Sequence, residues 1–255
     1  MDIEKINKVF DEYVSNFDMN DDMINLKYYH TYRVAEQSLA ISKSLNLSEE
    51  DVNLAYLIGM LHDIGRFSQA RDYGTFNDFK SIDHAELGCN ILFEDGLIRK
   101  FIDDDKYDDI ISKAIYYHNK YAINTLEDDE RILLHSEIIR DADKIDIMYN
   151  VCDLGGIKIN EDDYGISDLT KEDFNLEVPI PYAHKKTKND SVLTMLCFIF
   201  DLNFEYSYKY FKDNEFVNKM FNKLKNKELF KEYFDKANKY VESRCNNGKR
   251  IRKEI

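Results

Sequence analysis

Proline occurs twice in the 255 residues, at Pro179 and Pro181, and glycine only nine times. With so few breakers, and with many Leu, Ile, Lys and Glu, the chain favours helices. Four cysteines (Cys89, Cys152, Cys197, Cys245) are widely spaced with no CxxC pair, which excludes a thiol metal knuckle and reads as four ordinary buried thiols in a reduced, cytoplasmic protein. Excess positive charge is also lacking. The formal net charge is -14, which argues against a nucleic-acid polymer as the main partner and leaves room for a small anionic substrate held by local cations. No apolar run approaches the roughly 18 residues of a spanning helix, so no membrane partner is expected. The opening Met-Asp-Ile-Glu-Lys lacks the basic-then-apolar pattern of a signal peptide.

What is present is a large helical core. Hydrophobic residues make up 44% of the chain, enough to bury a substantial interior. Ile3, Ile6, Val9, Phe10, Tyr13 and Phe17 recur at helical spacing over residues 2–17. A second helix is expected from Asp22 to Leu45, and a third, capped by Ser48 with Asp51, running to His62. Residues 64–80 are mostly polar and aromatic, contain Gly74, and read as a loop. Helices are expected over Ser81–Phe93, Asp108–Lys120 and Asp128–Val151, the last two separated by a turn at Asn124-Thr125. Residues 157–189 read as an irregular connector with one short helix near Thr170–Phe174. Asp190 should cap an apolar helix over Val192–Phe204 that continues to Phe211. That helix reads as a spine, with a homodimer contact as the alternative. An amphipathic pair follows over 214–243, and the polar tail from Cys245 is expected to fray. Residues 1–160 read as a helical bundle, with residues 161–255 as a connector and helices packed on the same domain.

Six histidines occur: His30, His62, His84, His118, His135 and His184. His62-Asp63 closes an apolar stretch and is followed by Ile64-Gly65, where Gly65 can take a left-handed conformation and end the helix. Imidazole beside carboxylate suits borderline and hard divalent ions. His30, His84 and His118 fall in or at the ends of separate expected helices. Further on comes Arg140-Asp141-Ala142-Asp143-Lys144-Ile145-Asp146.

The order His30, His62-Asp63, His84, His118, Asp resembles the HD-domain superfamily of metal-dependent phosphohydrolases. His62-Asp63-Ile64-Gly65 matches its HDIG variant, and the match runs over roughly Asp22–Val151. The resemblance implies an all-α fold, an HD-domain helical bundle with a C-terminal helical extension here. It implies that His30, His62, Asp63 and Asp143 are core metal ligands. His84 and His118 match the two extra histidines of binuclear members, with Asp63 as the bridge; without a second ion they would contact substrate phosphate.

Residues two apart on a helix point about 200° apart, so Asp141 and Asp143 cannot both face one ion. The family places its ligand after alanine and before a basic residue, which selects Asp143. Asp146 shares that face as a supporting residue, and Asp141 is expected to pair with a cation or solvent. Arg66 and Lys144 are candidate phosphate contacts alongside the catalytic Asp63, with an ion-pair role as the alternative. His135 lies about 12 Å along and 80° around the helix from Asp143 and reads as structural. His184, in the local positive cluster Pro181–Lys188, reads as part of a solvated loop. Asp103–Asp105 and Glu127–Glu130 lack the alternation and glycine of a calcium loop.

These residues support hydrolysis of a small phosphomonoester or phosphodiester, a nucleotide foremost. The cofactor would be a divalent transition metal (Fe, Mn, Co, Ni or Zn), as one or two ions. Two other readings use the same ligand set: a mixed-valent di-iron oxygenase and a non-catalytic nucleotide-binding module. The Gly-Tyr-Pro signature of cyclic-dinucleotide phosphodiesterases is missing after His118, where Asn119-Lys120-Tyr121 follows. No alarmone-type synthetase domain is expected from these residues.

Overall fold

A computed structural model describes residues 1–123, 127–246 and 250. Among them it contains helices and no strand, apart from an isolated bridge between Phe204 and Arg250. The fold is all-α, as the breaker-poor composition implied. The chain divides into two compact units, Met1–Asp143 and Lys144–Ile255. The expected turn at Asn124-Thr125 lies outside the described residues, as does most of the tail expected to fray (247–249 and 251–255).

In the first unit, α1 (Ile3–Val14) is capped by Asp2, whose carboxylate accepts from the Glu4 amide, and it buries Ile6, Phe10 and Val14 along one stripe. Helix α2 spans Asp22–Ser44 and α3 spans Glu49–Leu61. Ser48 caps α3 as expected: its hydroxyl accepts from the Asp51 amide and donates to the Asp51 carboxylate. Every residue from Leu54 to Leu61 is buried, and α1 and α2 pack against α3. Burying one such large side chain contributes about 1.5–3 kcal/mol, so α3 is firmly anchored. It is the helix that ends at His62 and Asp63. Gly59 lets α2 come close: a Cβ there would stand 2.6 Å from Ala35 Cα. This approach sets His30 of α2 beside the end of α3.

The stretch after Asp63 departs from expectation. Residues Ile64–Tyr73 form helix α4 rather than a loop, ended by Gly74 in the left-handed conformation (φ 61°). Ile64, Phe67 and Ala70 supply a buried stripe. The polar residues between them masked its period. Gly65 does not end a helix either. It is the second residue of α4, where an added Cβ would lie 2.3 Å from the His84 carbonyl oxygen and 2.7 Å from the Gly88 nitrogen. Its role is close approach of α4 to α5 (His84–Cys89).

Helix α5 starts at His84 rather than Ser81, because the Asp83 carboxylate caps it by accepting from Ala85 and Glu86 amides. It widens into a π turn over Asn90–Glu94. A short α6 (Ile98–Phe101), α7 (Asp108–His118) and α8 (Glu130–Tyr149) follow. The division between the units falls within α8.

In the second unit the connector carries α9 (Asp168–Asn175), close to the short helix expected there. Helix α10 (Lys188–Leu196) begins earlier than expected. Thr187 is its cap and Asp190 is the third helical residue of a capping box. The helix does not continue to Phe211. It tightens to a 3-10 turn over Cys197–Asp201, breaks at Leu202–Phe204, and restarts as α11 (Glu205–Asp213). The buried Tyr208 hydroxyl, 3.0 Å from the carbonyls of both Ile199 and Leu202, serves backbone that a continuous helix would have paired. Helices α12 (Phe216–Asn222) and α13 (Lys227–Arg244) are the expected final pair. Val192, Leu193, Leu196, Ile199 and Phe200 of the apolar run are buried. All four cysteines are unbridged.

Candidate metal centre

Four of the six candidate ligands sit at helix ends in the first unit, and Asp143 lies inside α8. Asp63 is the junction between α3 and α4, with φ -108° and ψ 18° and no capping bond from its side chain. Its carboxylate is therefore available to the site, next to the positive end of α4. His62 precedes it, His84 opens α5, and His118 closes α7. Asp143 is the last residue of the unit. His30 lies within α2, held by the close packing at Gly59.

The two oxygens of Asp63 face different histidines. Oδ2 lies 3.3 Å from His30 Nε2 and 3.4 Å from His62 Nε2. Oδ1 lies 3.4 Å from His84 Nε2 and 3.8 Å from His118 Nε2. Asp143 Oδ1 joins the first group, 3.2 Å from His30 Nε2 and 3.9 Å from His62 Nε2. The geometry thus defines two clusters, His30–His62–Asp63 and Asp63–His84–His118, sharing Asp63.

Hydrogen bonding at the far nitrogens tests whether these clusters suit a cation. His62 Nδ1 is 2.8 Å from the Gly59 carbonyl, and His118 Nδ1 is 2.6 Å from that of Ile115. A carbonyl only accepts, so each Nδ1 carries the proton. His84 Nδ1 donates to Asp78 Oδ2 at 2.7 Å. Consequently His84 Nε2 and His118 Nε2 present lone pairs to each other at 3.0 Å. Two lone pairs at that distance repel, and a shared cation converts the repulsion into bonding. Ligand atoms each about 2.1 Å from one ion stand roughly 3–3.5 Å apart, and all the separations but those of His118 from Asp63 (3.8 Å) and His62 from Asp143 (3.9 Å) fall there. The donor set fits a divalent transition metal.

The electrostatics agree. Burial pushes the His62 imidazolium pKa down, only partly opposed by Asp63 and Asp143. Burial brings His84 down to about 4 against the pull of Asp78. Neutral imidazoles are the ligating form. Burial alone would raise the Asp63 carboxyl, yet Lys27 and the surrounding histidines hold it well below the usual carboxylate range. Asp143 is likewise held low: burial opposes this, and His30 and His62 outweigh it.

A supporting layer surrounds the second cluster. Asp78 Oδ1 accepts from Arg66 at 2.7 Å and from Gln69 at 2.9 Å, while Oδ2 takes the His84 proton. Asp83 Oδ2 pairs with Lys120 at 2.5 Å and Oδ1 accepts from Asn119 at 3.0 Å. Asp78, Asp83 and His84 also lie close enough to hold an ion, but their acceptors are filled by these donors, so they act as a brace.

Of the other sequence candidates, Arg66 donates to Gln69, the Phe76 carbonyl and Asp78, and its Nε lies 3.6 Å from Asp63 Oδ1. Lys144 Nζ pairs with Asp201 at 2.7 Å within the second unit. His135 is fully buried with Nε2 3.1 Å from Asp51, a structural position. Asp141 and Asp146 are buried; Asp141 is not solvated. His184 is half-buried and paired with Asp173 at 2.6 Å, so it is tied down rather than loose in solvent. Sequence reasoning passed over Lys27, whose Nζ is 2.5 Å from Asp63 Oδ2. Its place three residues before His30, on the same helical face, was the available signal. It also missed Gln69, Phe76 and Asp78, all in the stretch read as loop.

Residues 28–148 match the HD domain family. That segment is similar to HD domains, a family that consists generally of metal-dependent phosphohydrolases. No curated protein and no solved structure matches the chain. Among the described residues, no helix is long and apolar enough to cross a membrane.

Proposed function

We propose that the protein is a metal-dependent phosphohydrolase acting on a small phosphomonoester or phosphodiester, with a nucleotide as the favoured substrate. The observation that carries this reading is the division of the Asp63 oxygens between the two histidine clusters. His30, His62, Asp63 and Asp143 would hold one divalent ion; His84 and His118, with Asp63, would hold the second. Bound ions supply polarisation of a phosphoryl oxygen and a lowered pKa for water. The chain's own groups do the rest. Asp63 fixes the spacing of the clusters, and Asp78 fixes the tautomer of His84. Arg66 Nε is a buried donor without an acceptor, turned toward the Asp63 edge, where a phosphate oxygen would satisfy it. Lys144, paired with Asp201, is assigned to the ion pair. The net charge of -14 favours a small substrate over a polymer.

The test is elemental analysis of freshly purified protein, followed by a phosphatase and nucleotidase panel with Mn, Co, Ni, Zn and Fe. Phosphate release that disappears in Asp63→Ala, together with bound metal, is expected. Oxygen consumption with iron and no phosphate release would assign the site to an oxygenase. Nucleotide binding by metal-replete protein without turnover would assign it to a binding module.

A further inference from the structure

The side chains around Asp63 are not equally accessible. His62 is fully buried and Asp63 keeps only 3% of its side chain exposed, against 16% for Lys27 and 14% for Arg66. These two cations therefore stand outward of His62 and Asp63, at an exposure close to the 19% of Asp143. They are arranged around one ring. Lys27 Nζ lies 5.4 Å from the centroid of Phe76, and Arg66 Cζ lies 5.5 Å from the same centroid. Each also addresses its own oxygen of Asp63, Lys27 at Oδ2 and Arg66 at Oδ1. Phe76 thus holds both head groups by cation–π attraction.

The two cations differ in what else they do. Arg66 Nη1 is committed to Gln69, the Phe76 carbonyl and Asp78, which fixes the guanidinium in place and leaves Nε to a ligand. Lys27 has Asp63 and the ring. An ammonium can make three hydrogen bonds and turns freely about its stem. With divalent ions on Asp63, the carboxylate charge is shared with the metals and the ammonium is left beside net positive charge. Two divalent ions exceed the charge of Asp63 and Asp143, and Lys27 adds to the excess. Only an anionic ligand offsets it, and one with two charges does so better than one with a single charge.

We propose that Lys27, positioned by Phe76, contacts the substrate phosphate beside Arg66 Nε and selects the dianionic terminal phosphate of a phosphomonoester over the monoanionic phosphate of a diester. The inference rests on the phosphohydrolase reading and narrows its substrate class. A phosphomonoester loses its second proton near pH 6, so the dianion is the main form at neutral pH.

The experiment is calorimetric titration of metal-replete protein with inorganic phosphate and with dimethyl phosphate at pH 7.5. Metal content is measured on the same samples. Wild type should bind phosphate at least tenfold more tightly than dimethyl phosphate. Lys27→Met should weaken phosphate binding at least tenfold with metal content unchanged and erase the preference, and Lys27→Arg should restore most of it. Phe76→Leu, which keeps both charges, should give an intermediate loss and serves as the readout if Lys27→Met does not fold. In turnover, KM for a monoester should rise in Lys27→Met more than kcat falls. Unchanged phosphate affinity in Lys27→Met and Phe76→Leu overturns the proposal. So does loss of metal in parallel with loss of binding, which would make Lys27 only a counter-charge for Asp63. A wild type that holds metal but binds neither anion removes the phosphohydrolase reading itself.

Discussion

Asp78 Oδ2 accepts the Nδ1 proton of His84 at 2.7 Å, and this one hydrogen bond decides which nitrogen His84 turns toward Asp63. An imidazole without that partner can place its proton on either nitrogen and rotate. Supporting carboxylates of this kind are worth about 10–100-fold in metal affinity. Asp78→Ala should therefore weaken metal binding by that range at the His84–His118 cluster and leave the His30–His62–Asp143 cluster close to wild type. Metal titration should show one site lost and one retained; equal loss at both would contradict the assignment of Asp78.

The crossing of α4 and α5 leads to a second expectation. A Cβ on Gly65 would meet backbone atoms, the His84 carbonyl at 2.3 Å and the Gly88 nitrogen at 2.7 Å. Backbone cannot swing aside as a long side chain can. Gly65→Ala should cost about 1–3 kcal/mol or more and shift His84 out of line. Denaturant unfolding should show the loss, and metal stoichiometry should fall with it. A Gly65→Ala variant as stable as wild type would mean that the helices are not this close.

Stability should respond to pH through the buried imidazoles. Burial depresses the pKa values of His62, His84 and His135, so between the folded values and about 6.5 the unfolded chain binds more protons than the folded one. In metal-free protein their contribution is complete above about pH 6.5 and is lost as pH falls, with His84 titrating at about 4. Each shifted group contributes up to about 1.4 kcal/mol per pH unit. Asp63 and Asp143 titrate below the ordinary carboxylate range and act beneath this window. Divalent metal should stabilise the fold at pH 7.5 by about 2.7 kcal/mol per site at a hundredfold excess over Kd, read as a rise in Tm. The increment should shrink as pH falls toward the depressed values of the folded imidazoles, about 4 for His84, where protons compete for Nε2. A pH-independent increment would point to binding elsewhere.

In the second unit, Asp190 holds the connector to the start of α10. Its carboxylate accepts from the backbone amides of Lys186, Ser167 and Thr187 at 2.7, 2.8 and 2.9 Å. Burial opposes ionisation, but these bonds outweigh it and lower the pKa. Asp190→Ala should cost about 2–4 kcal/mol. The contribution is complete above about pH 4 and is lost as pH falls through the depressed value. Limited proteolysis should then cut first within 157–187; an unchanged digestion pattern would show that the connector is held by other contacts.

The candidate ligands came from the resemblance to the HD family, and their placement was legible because each lies in a helix or at its end, where apolar period and capping residues show from sequence alone. Ser48 and the apolar run to Leu61 located His62-Asp63, and the family's placement of its ligand after alanine and before a basic residue chose Asp143, which does approach His30 and His62. Helix α4 was not readable, because Arg66, Gln69 and Arg71 interrupt the stripe of Ile64, Phe67 and Ala70 and make it look polar. Gln69 is buried for its hydrogen bonds, which no hydrophobic scale registers. The break at Leu202–Phe204 was invisible for the opposite reason. An apolar run looks continuous whether or not a tyrosine hydroxyl waits to take up its carbonyls. Lys27 and Asp78 act through contacts 36 and 6 residues away; the spacing of Lys27 from His30 marks only a shared helical face, and nothing periodic marks Asp78.

The chain of contacts Arg66–Asp78–His84 also bears on how this protein can vary. Surface connections usually accept insertions and deletions. Here the connection between α4 and α5 sets the distance from the ring of Phe76 to the carboxylate of Asp78, and from there to His84. Changing its length by even one residue would move either the ring or the carboxylate. Among relatives that keep this site, residues may be exchanged between Gly74 and Asp83, but their number should be fixed.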